Sequence, residues 1–203
     1  MDHDEPRLIY ITGRTGDANQ GLGAYLKELE PNRIGLSVNN TFLNLDFVEQ
    51  VSVVKKLITE FDGPTTAIIA NSYGAYLVLH ALINAPIFQC KVLLLSPALG
   101  GLMDKKAMVY ARQPSTNKFE QALNAGAITK PSHLEFHIGE HDGGYDPARV
   151  AGLLVADVLN VIPGQGHMLD KATVAQIVRG FLDKGQYTRK LRRLHSDLNA
   201  TFS

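Results

Sequence analysis

Short apolar segments alternate along this chain with longer segments whose apolar residues recur at helical spacing. The short segments are apolar almost without interruption, which is typical of strands that are buried on both faces of a sheet. Strands that alternate with helices are joined by right-handed crossovers into a parallel sheet with helices on both faces. The pattern therefore predicts an α/β protein, a three-layer α/β/α sandwich around a six-stranded, mainly parallel sheet. The predicted strands are 7–12, 33–38, 65–70, 91–96, 133–138 and 157–162.

Helices are predicted between these strands. Asp46-Phe-Val-Glu49 has the sequence of a capping box, in which the first and fourth residues satisfy each other's backbone N–H groups. The connection 98–131 is too long for a plain turn, and we expect an excursion over the sheet edge that forms a short lid. The predicted helices are 22–29, a segment from Asp46 to Phe61, one that begins at Ser72, and segments near 146–156 and 170–184.

Length and composition exclude several classes of protein. The 203 residues suit a single domain, 1–203, and 20 basic against 20 acidic residues leave no net charge to attract nucleic acid or an anionic membrane. The lone Cys90 excludes an internal disulfide and fits a reducing compartment. The acidic N-terminus does not resemble a signal peptide, and no apolar run approaches bilayer length. We expect a cytoplasmic protein without nucleic-acid partners or membrane insertion.

The tail 187–203 is locally basic and has leucines at helical spacing. Its simplest interpretation is a final helix that packs on the body with its charges solvated. The alternative is a surface for a partner or for a second copy of the chain, which would make the protein a homo-oligomer.

A serine lies where the third predicted strand runs directly into a helix. The residues Ala70-Asn71-Ser72-Tyr73-Gly74 match the pattern small-x-Ser-x-small of a nucleophile elbow, with alanine where glycine is usual. In that turn the hydroxyl is held clear of the backbone at a helix N-terminus. The alternative is that Ser72 only caps the helix. Because a serine hydroxyl is a poor nucleophile without a base, the hypothesis requires partners further along the chain.

Candidate partners follow two later strands. Gly139-Glu-His-Asp142 comes after the fifth predicted strand, and Gly164-Gln-Gly-His167 comes after the sixth. Loops that follow parallel strands meet at one edge of the sheet, so Ser72, Asp142 and His167 are predicted to converge as a catalytic triad. Asp146 is the alternative acid, but it precedes Pro147 and is better suited to cap a helix.

The other histidines fit the site less well. His80 lies inside the predicted elbow helix, His133 and His137 lie at or in a strand, and His141 is the nearest rival to His167. No metal-ligand spacing emerges from these residues, so we predict no metal site.

Backbone donors for a tetrahedral intermediate are predicted on two loops. The N–H of Tyr73 directly follows the nucleophile, and the second donor is predicted to be the N–H of Arg14, with Thr15 as the alternative and Gly13 allowing close approach. The glycines of the loop after the first strand complete neither nucleotide-binding motif, so a nucleotide cofactor is not expected.

Together these motifs resemble those of the α/β-hydrolase superfamily, and most closely its small serine esterases and thioesterases. The resemblance covers about 7–184 and rests on A-N-S-Y-G, G-E-H-D and G-Q-G-H in this order. Two features depart from the family: its usual first two strands are missing, which leaves a minimal fold, and the oxyanion loop reads T-G in place of H-G.

The resemblance implies a serine hydrolase that cleaves a carboxylic ester or thioester of a small molecule through an acyl-enzyme, without a cofactor. Met103 in the lid and Met168 beside the histidine are candidates to line an apolar acyl pocket, and core packing is the alternative for both. Acyl transfer with the same triad, and ligand binding without turnover, remain alternative functions.

Overall fold

The computed structural model describes residues 7–99, 101–104, 109–142, 154 and 156–183, and for 101–104 and 109–112 it describes the backbone alone. Asp146, most of the helix predicted near 146–156, and the tail 187–203 lie outside the described residues.

Six strands form one open sheet in the order β2-β1-β3-β4-β7-β8, and all of their pairings are parallel. This confirms the predicted α/β class and the six-stranded sheet. A separate antiparallel hairpin, β5 and β6, lies in the segment predicted as a lid. The strands are β1 (Arg7–Ile11), β2 (Ile34–Leu36), β3 (Thr66–Asn71), β4 (Lys91–Leu95), β5 (Gly101–Asp104), β6 (Val109–Arg112), β7 (His133–Gly139) and β8 (Val158–Ile162).

Four of the described helices lie close to predicted positions, and two others, Asn40–Leu43 and Thr116–Asn124, were not predicted. The capping box of α3 is present: the Asp46 carboxylate accepts from the Glu49 N–H at 2.8 Å, and the Glu49 carboxylate accepts from the Asp46 N–H at 3.1 Å. The helices are α1 (Leu22–Leu29), α2 (Asn40–Leu43), α3 (Phe47–Phe61), α4 (Ser72–Ala81), α5 (Thr116–Asn124) and α6 (Lys171–Asp183).

Alternate residues of the strands build two separate cores, one on each face of the sheet. On one face, Leu8, Ile69 and Leu93 pack against α1 and α6. On the other face, Ile9, Ile68 and many more strand residues pack against α3, α4 and α5. The sheet is therefore covered on both sides, as apolar parallel strands require.

The segment 98–131 contains the β5–β6 hairpin and α5. Phe119 of α5 is 1% exposed and its ring centroid lies 5.8 Å from that of Tyr76 in α4. The Tyr76 hydroxyl also donates to the Pro114 carbonyl at 2.7 Å. These contacts attach α5 to the main core.

The strand order positions a crevice beside β3. From β1 the chain moves outward to β2 and then returns to β3 on the other side of β1. The loops after β1 and β3 therefore diverge at the carboxyl edge of the sheet, which is where open α/β sheets bind ligands. None of the helices in the described part of the chain combines the length and apolar character that a membrane span requires.

Candidate active site

Ser72 occupies a strained corner between β3 and α4. Its φ is 50°, in the left-handed region that residues with a side chain rarely adopt. A Cβ on Gly74 would collide with the carbonyl oxygens of Ile11 and Thr12, so only glycine lets α4 pack this closely against the end of β1. The local sequence thus explains both the sharp turn and its position next to the loop after β1.

A continuous chain of hydrogen bonds joins the three residues predicted to form the triad. Ser72 Oγ lies 2.8 Å from His167 Nε2, and His167 Nδ1 lies 2.9 Å from Asp142 Oδ1. The Asp142 side chain is 4% exposed, whereas the His167 side chain is 27% exposed. A buried carboxylate beside a partly open imidazole can orient the ring while leaving its Nε2 side accessible to substrate.

The loops that carry Asp142 and His167 are bonded to each other. The His141 N–H donates to the Gln165 carbonyl at 2.8 Å, and the Gly164 N–H donates to the Glu140 carboxylate at 2.8 Å. A Cβ on Gly139 would collide with the carbonyl oxygens of Gln165 and Gly166. This close approach holds the acid and the base in register although they follow different strands.

The start of α6 supports the His167 loop. Asp170 accepts the N–H of Thr173 at 2.9 Å, and the Gln165 amide contacts both the Asp170 and Thr173 side chains. The hydrogen bonds from Thr173 hold the pKa of Asp170 below its usual value. The charged carboxylate therefore stabilises the N-terminus of the helix that follows the catalytic loop.

The loop predicted to supply the second backbone donor lies directly beside the serine. A Cβ on Gly13 would be 3.2 Å from Ser72 Cβ, and the Arg14 guanidinium carbon lies 5.5 Å from the centroid of the Tyr73 ring. The Tyr73 hydroxyl donates to Gln50 Oε1 at 2.9 Å, and burial raises the pKa of this phenol. The Tyr73 side chain is thus held in the core, while its backbone lies at the first turn of α4. Thr15, the alternative donor, has a φ of 60° in the same turn.

A cavity of about 590 Å³ opens from Ser72 and His167. We call it the catalytic cavity. It is bounded by α1 and α6, and Met168 lies at its rim with 84% of its surface exposed. Met103 lies in β5, whose side chains are not described, so its proposed role in the pocket stays a prediction. The remaining lining residues are Gly21, Leu22, Tyr25, Asn71, Leu95, Ser96, Leu169, Lys171, Ala172, Val174 and Ala175.

Sequence reasoning missed the α1 and α6 residues of this cavity, and it also missed Ser96. Ser96 directly follows β4, lines the cavity and has a φ of 41°. Its hydroxyl is buried and has no hydrogen-bond partner among the described residues. A signal was present, because Ser96 ends an apolar strand just as Ser72 does, but no motif distinguished it.

The other histidines in the described part of the chain make no hydrogen bond to Ser72. His141 is exposed and lies 3.9 Å from Glu140, and His80 packs among aromatic rings in α4, where burial lowers its pKa to about 4. His133 and His137 both contact the Glu135 carboxylate. Within the described residues, no group of histidine, cysteine and acidic side chains has the arrangement of a metal site.

A second cavity of about 400 Å³ lies between β7, β8 and the other side of α6. We call it the β7–β8 cavity. Its polar lining includes Glu135, His137 and Asn160, which lie within strands and not beyond their ends.

Comparison with known proteins supports the fold at low sequence identity. The chain is similar to the ydeN gene product of B. subtilis (15% identity, 89% of this chain and 100% of that chain, TM-score 0.59). It is also similar to carboxylesterase CesB of Bacillus subtilis (15%, 90% and 85%, TM-score 0.60) and to mouse alpha/beta hydrolase domain-containing protein 10 (16%, 100% and 93%, TM-score 0.60). No family model and no curated protein sequence matches the chain.

The sheet order and these similarities identify the fold of the protein. The chain has the fold of the α/β-hydrolase superfamily, as the order of its motifs predicts.

Proposed function

We propose that this protein is a serine hydrolase that cleaves a carboxylic ester or thioester of a small molecule through an acyl-enzyme. The observation that carries the proposal is the hydrogen-bond chain from Ser72 through His167 to Asp142, at 2.8 and 2.9 Å, at the mouth of the catalytic cavity. The presence of esterases and a lipase among the similar structures is consistent with this chemistry.

In the first half of the reaction, His167 Nε2 takes the Ser72 proton as Oγ attacks the acyl carbonyl carbon. Asp142 holds Nδ1 protonated and stabilises the imidazolium that forms. The tetrahedral intermediate collapses as His167 gives its proton to the leaving alcohol or thiol, and the acyl group remains on Ser72. In the second half, water loses a proton to His167, attacks the acyl carbon, and releases the carboxylic acid.

In the proposed mechanism the oxyanion lies between the loop after β1 and the turn after β3. The N–H groups of Tyr73 and Arg14 are its proposed donors, since the Arg14 loop adjoins the Ser72 turn and Gly13 leaves no side chain between them. Such donors lower the barrier by stabilising charge that develops only in the transition state.

Covalent labelling tests the proposal. The protein is treated with a fluorophosphonate probe, digested, and the modified peptide is located by mass spectrometry. We expect the adduct on Ser72, and we expect Ser72→Ala to abolish it. Ser52→Ala, which changes an exposed serine of α3, is the matched control and should label like the wild type. Absence of any adduct on Ser72 in the folded protein would contradict the proposal and favour binding without turnover.

Hydrolysis and acyl transfer share the labelled intermediate, so the product separates them. Incubation with a thioester in water should release free acid at the rate at which thiol appears. Free acid that lags far behind thiol release would contradict hydrolysis and favour transfer to another acceptor.

A further inference from the structure

The catalytic cavity has its two long walls on helices that run away from the active site. Leu22 and Tyr25 of α1 form one wall, and Val174 and Ala175 of α6 form the other. The direction of α6 is clear from its last turn, where Lys91, the first residue of β4, donates to the Phe181 carbonyl at 2.8 Å. Helix α6 therefore begins at the catalytic edge of the sheet and ends at the opposite edge.

One contact joins the two walls beyond the last cavity residue of α6. Arg179 Nε donates to the Tyr25 hydroxyl at 2.9 Å, and the guanidinium carbon lies 5.9 Å from the centroid of the same ring. Arg179 lies one helical turn beyond Ala175, on the side away from His167. The Tyr25 ring, held by Arg179, thus lies at the end of the cavity that is remote from the catalytic histidine.

The contents of the cavity can be inferred from its lining. Most of the wall between Ser72 and Tyr25 is apolar, and Leu22, Leu169 and Val174 are examples. The polar lining residues Asn71, Ser96 and Lys171 lie at the catalytic edge of the sheet, at the end of β3, just after β4 and at the start of α6. Apolar walls of this kind gain free energy by covering a hydrocarbon chain, and they offer no partner to a charged or strongly polar one.

The distance along α6 sets a length for that chain. From Lys171 the helix axis advances about 6 Å to Ala175, the last cavity residue of α6, and about 12 Å to Arg179, at ~1.5 Å per residue. An extended chain advances ~1.2 Å per bond, as an extended peptide does over the three bonds of each residue, so a chain that ends at the Tyr25–Arg179 contact has roughly five to ten carbons.

We infer that the cavity between α1 and α6 binds the acyl chain of the substrate, and that Tyr25, held by Arg179, limits its length to medium-chain acids. This inference rests on the proposed function for the reaction at Ser72. The described walls of the acyl pocket then lie on two helices of the body, α1 and α6.

Two substitutions with opposite effects test the inference. Rates are measured with p-nitrophenyl esters of straight-chain acids from acetate to hexadecanoate. Tyr25→Ala opens the far end and should raise the ratio of kcat/KM for hexadecanoate over octanoate by about tenfold, since one or two methylenes in an apolar pocket have effects of that size. Ala175→Phe places a ring in the cavity at its last α6 residue and should lower the ratio of kcat/KM for octanoate over acetate by about tenfold.

Two further variants separate length selection from a general disturbance of α1. Tyr25→Phe keeps the ring but loses the bond to Arg179, and its ratios should lie between those of the wild type and Tyr25→Ala. Leu29→Ala changes a residue of α1 that packs in the core outside the cavity lining, and its ratios should equal those of the wild type. Ratios that stay flat in both Tyr25→Ala and Ala175→Phe would overturn the inference.

A binding measurement distinguishes failure of the acyl-chain inference from failure of the proposed reaction. Calorimetry with octanoic and hexadecanoic acids on the Ser72→Ala protein needs no turnover. We expect octanoic acid to bind, and Tyr25→Ala in that background to favour hexadecanoic acid. If octanoic acid binds but Ser72 is not labelled, only the proposed reaction is overturned. If Ser72 is labelled but neither binding nor rates depend on chain length, only the acyl-chain inference is overturned.

Discussion

The catalytic cavity and the β7–β8 cavity share helix α6 as a wall, and each contains a chain of hydrogen-bonded ionisable side chains. In the catalytic cavity the chain is Ser72–His167–Asp142, carried on loops beyond the ends of three strands. In the β7–β8 cavity, Glu135 accepts from His133 Nε2 at 2.7 Å and contacts His137 Nε2 at 3.1 Å.

The positions of the two chains support the different roles that we propose for them. Glu135 and His137 lie in the middle of β7, where neighbouring strands and α6 hold them, and His137 Nδ1 lies 3.3 Å from the Asn160 amide. Each group in this set has a partner within the set, so we interpret it as a structural network. Ser72 lies past its strand at a strained turn and borders an apolar cavity. We therefore propose chemistry for the Ser72 chain, which lies past the strand ends, and a structural role for Glu135 and His137, which lie within β7.

The largest expected effect is on turnover, when a residue of the Ser72–His167–Asp142 chain is substituted. Ser72→Ala should lower kcat by about 10⁴–10⁶-fold, because triad residues act as a unit. The free energy of unfolding, measured by urea titration, should stay close to that of the wild type. A variant that retained most of its turnover would remove Ser72 from the mechanism.

Asp142 is the proposed acid of the Ser72–His167–Asp142 chain. Asp142→Asn should lower kcat by about 10⁴-fold, because the amide no longer favours the imidazole tautomer with its proton on Nδ1. Steady-state ester hydrolysis measures the effect. Asp146→Asn is the matched control, and if it caused the loss while Asp142→Asn did not, the assignment of the acid would be wrong.

Substitution of Glu135 in the β7–β8 cavity should lower the free energy of unfolding and leave turnover unchanged. Glu135→Leu leaves the buried His137 imidazole without its acceptor, at a cost of about 1–3 kcal/mol, whereas the His133 side chain is 32% exposed and can bond to water. Urea denaturation measures the loss, and Glu135→Gln, which keeps one acceptor oxygen, should lose less. A large fall in kcat with unchanged stability would show that this network takes part in the reaction after all.

Low pH should destabilise the fold through His80, which lines neither cavity. Burial lowers the pKa of His80 from 6.5 to about 4, so between these values the unfolded chain binds a proton that the folded chain does not. Stability is therefore highest above pH 6.5 and falls as the pH decreases, by about 1 kcal/mol between pH 7 and 5.5.

His80→Phe isolates this contribution. The ring fits among Phe47, Tyr76 and Phe119, and it replaces a buried Nε2 that has no hydrogen-bond partner among the described residues. The difference in unfolding free energy between the variant and the wild type should grow as the pH falls. A difference that is independent of pH would show that His80 does not carry the effect.

Much of the fold could be predicted because its signals are local. The apolar strands, the helical spacing of α3 and the capping box at Asp46 each depend on residues close together in the chain. The segments 7–12 and 33–38 shorten to Arg7–Ile11 and Ile34–Leu36, since ends of strands depend on which neighbours pair with them.

The order Ser72, Asp142, His167 and the alternation of strands and helices were determined by the sequence alone, because a motif and a period are properties of neighbouring residues. Only the tertiary structure decided that α1 and α6 enclose the catalytic cavity and that Tyr25 meets Arg179 across 154 positions. These features arise from side chains brought together by packing across a face of the sheet, and a linear pattern contains no record of which faces will meet.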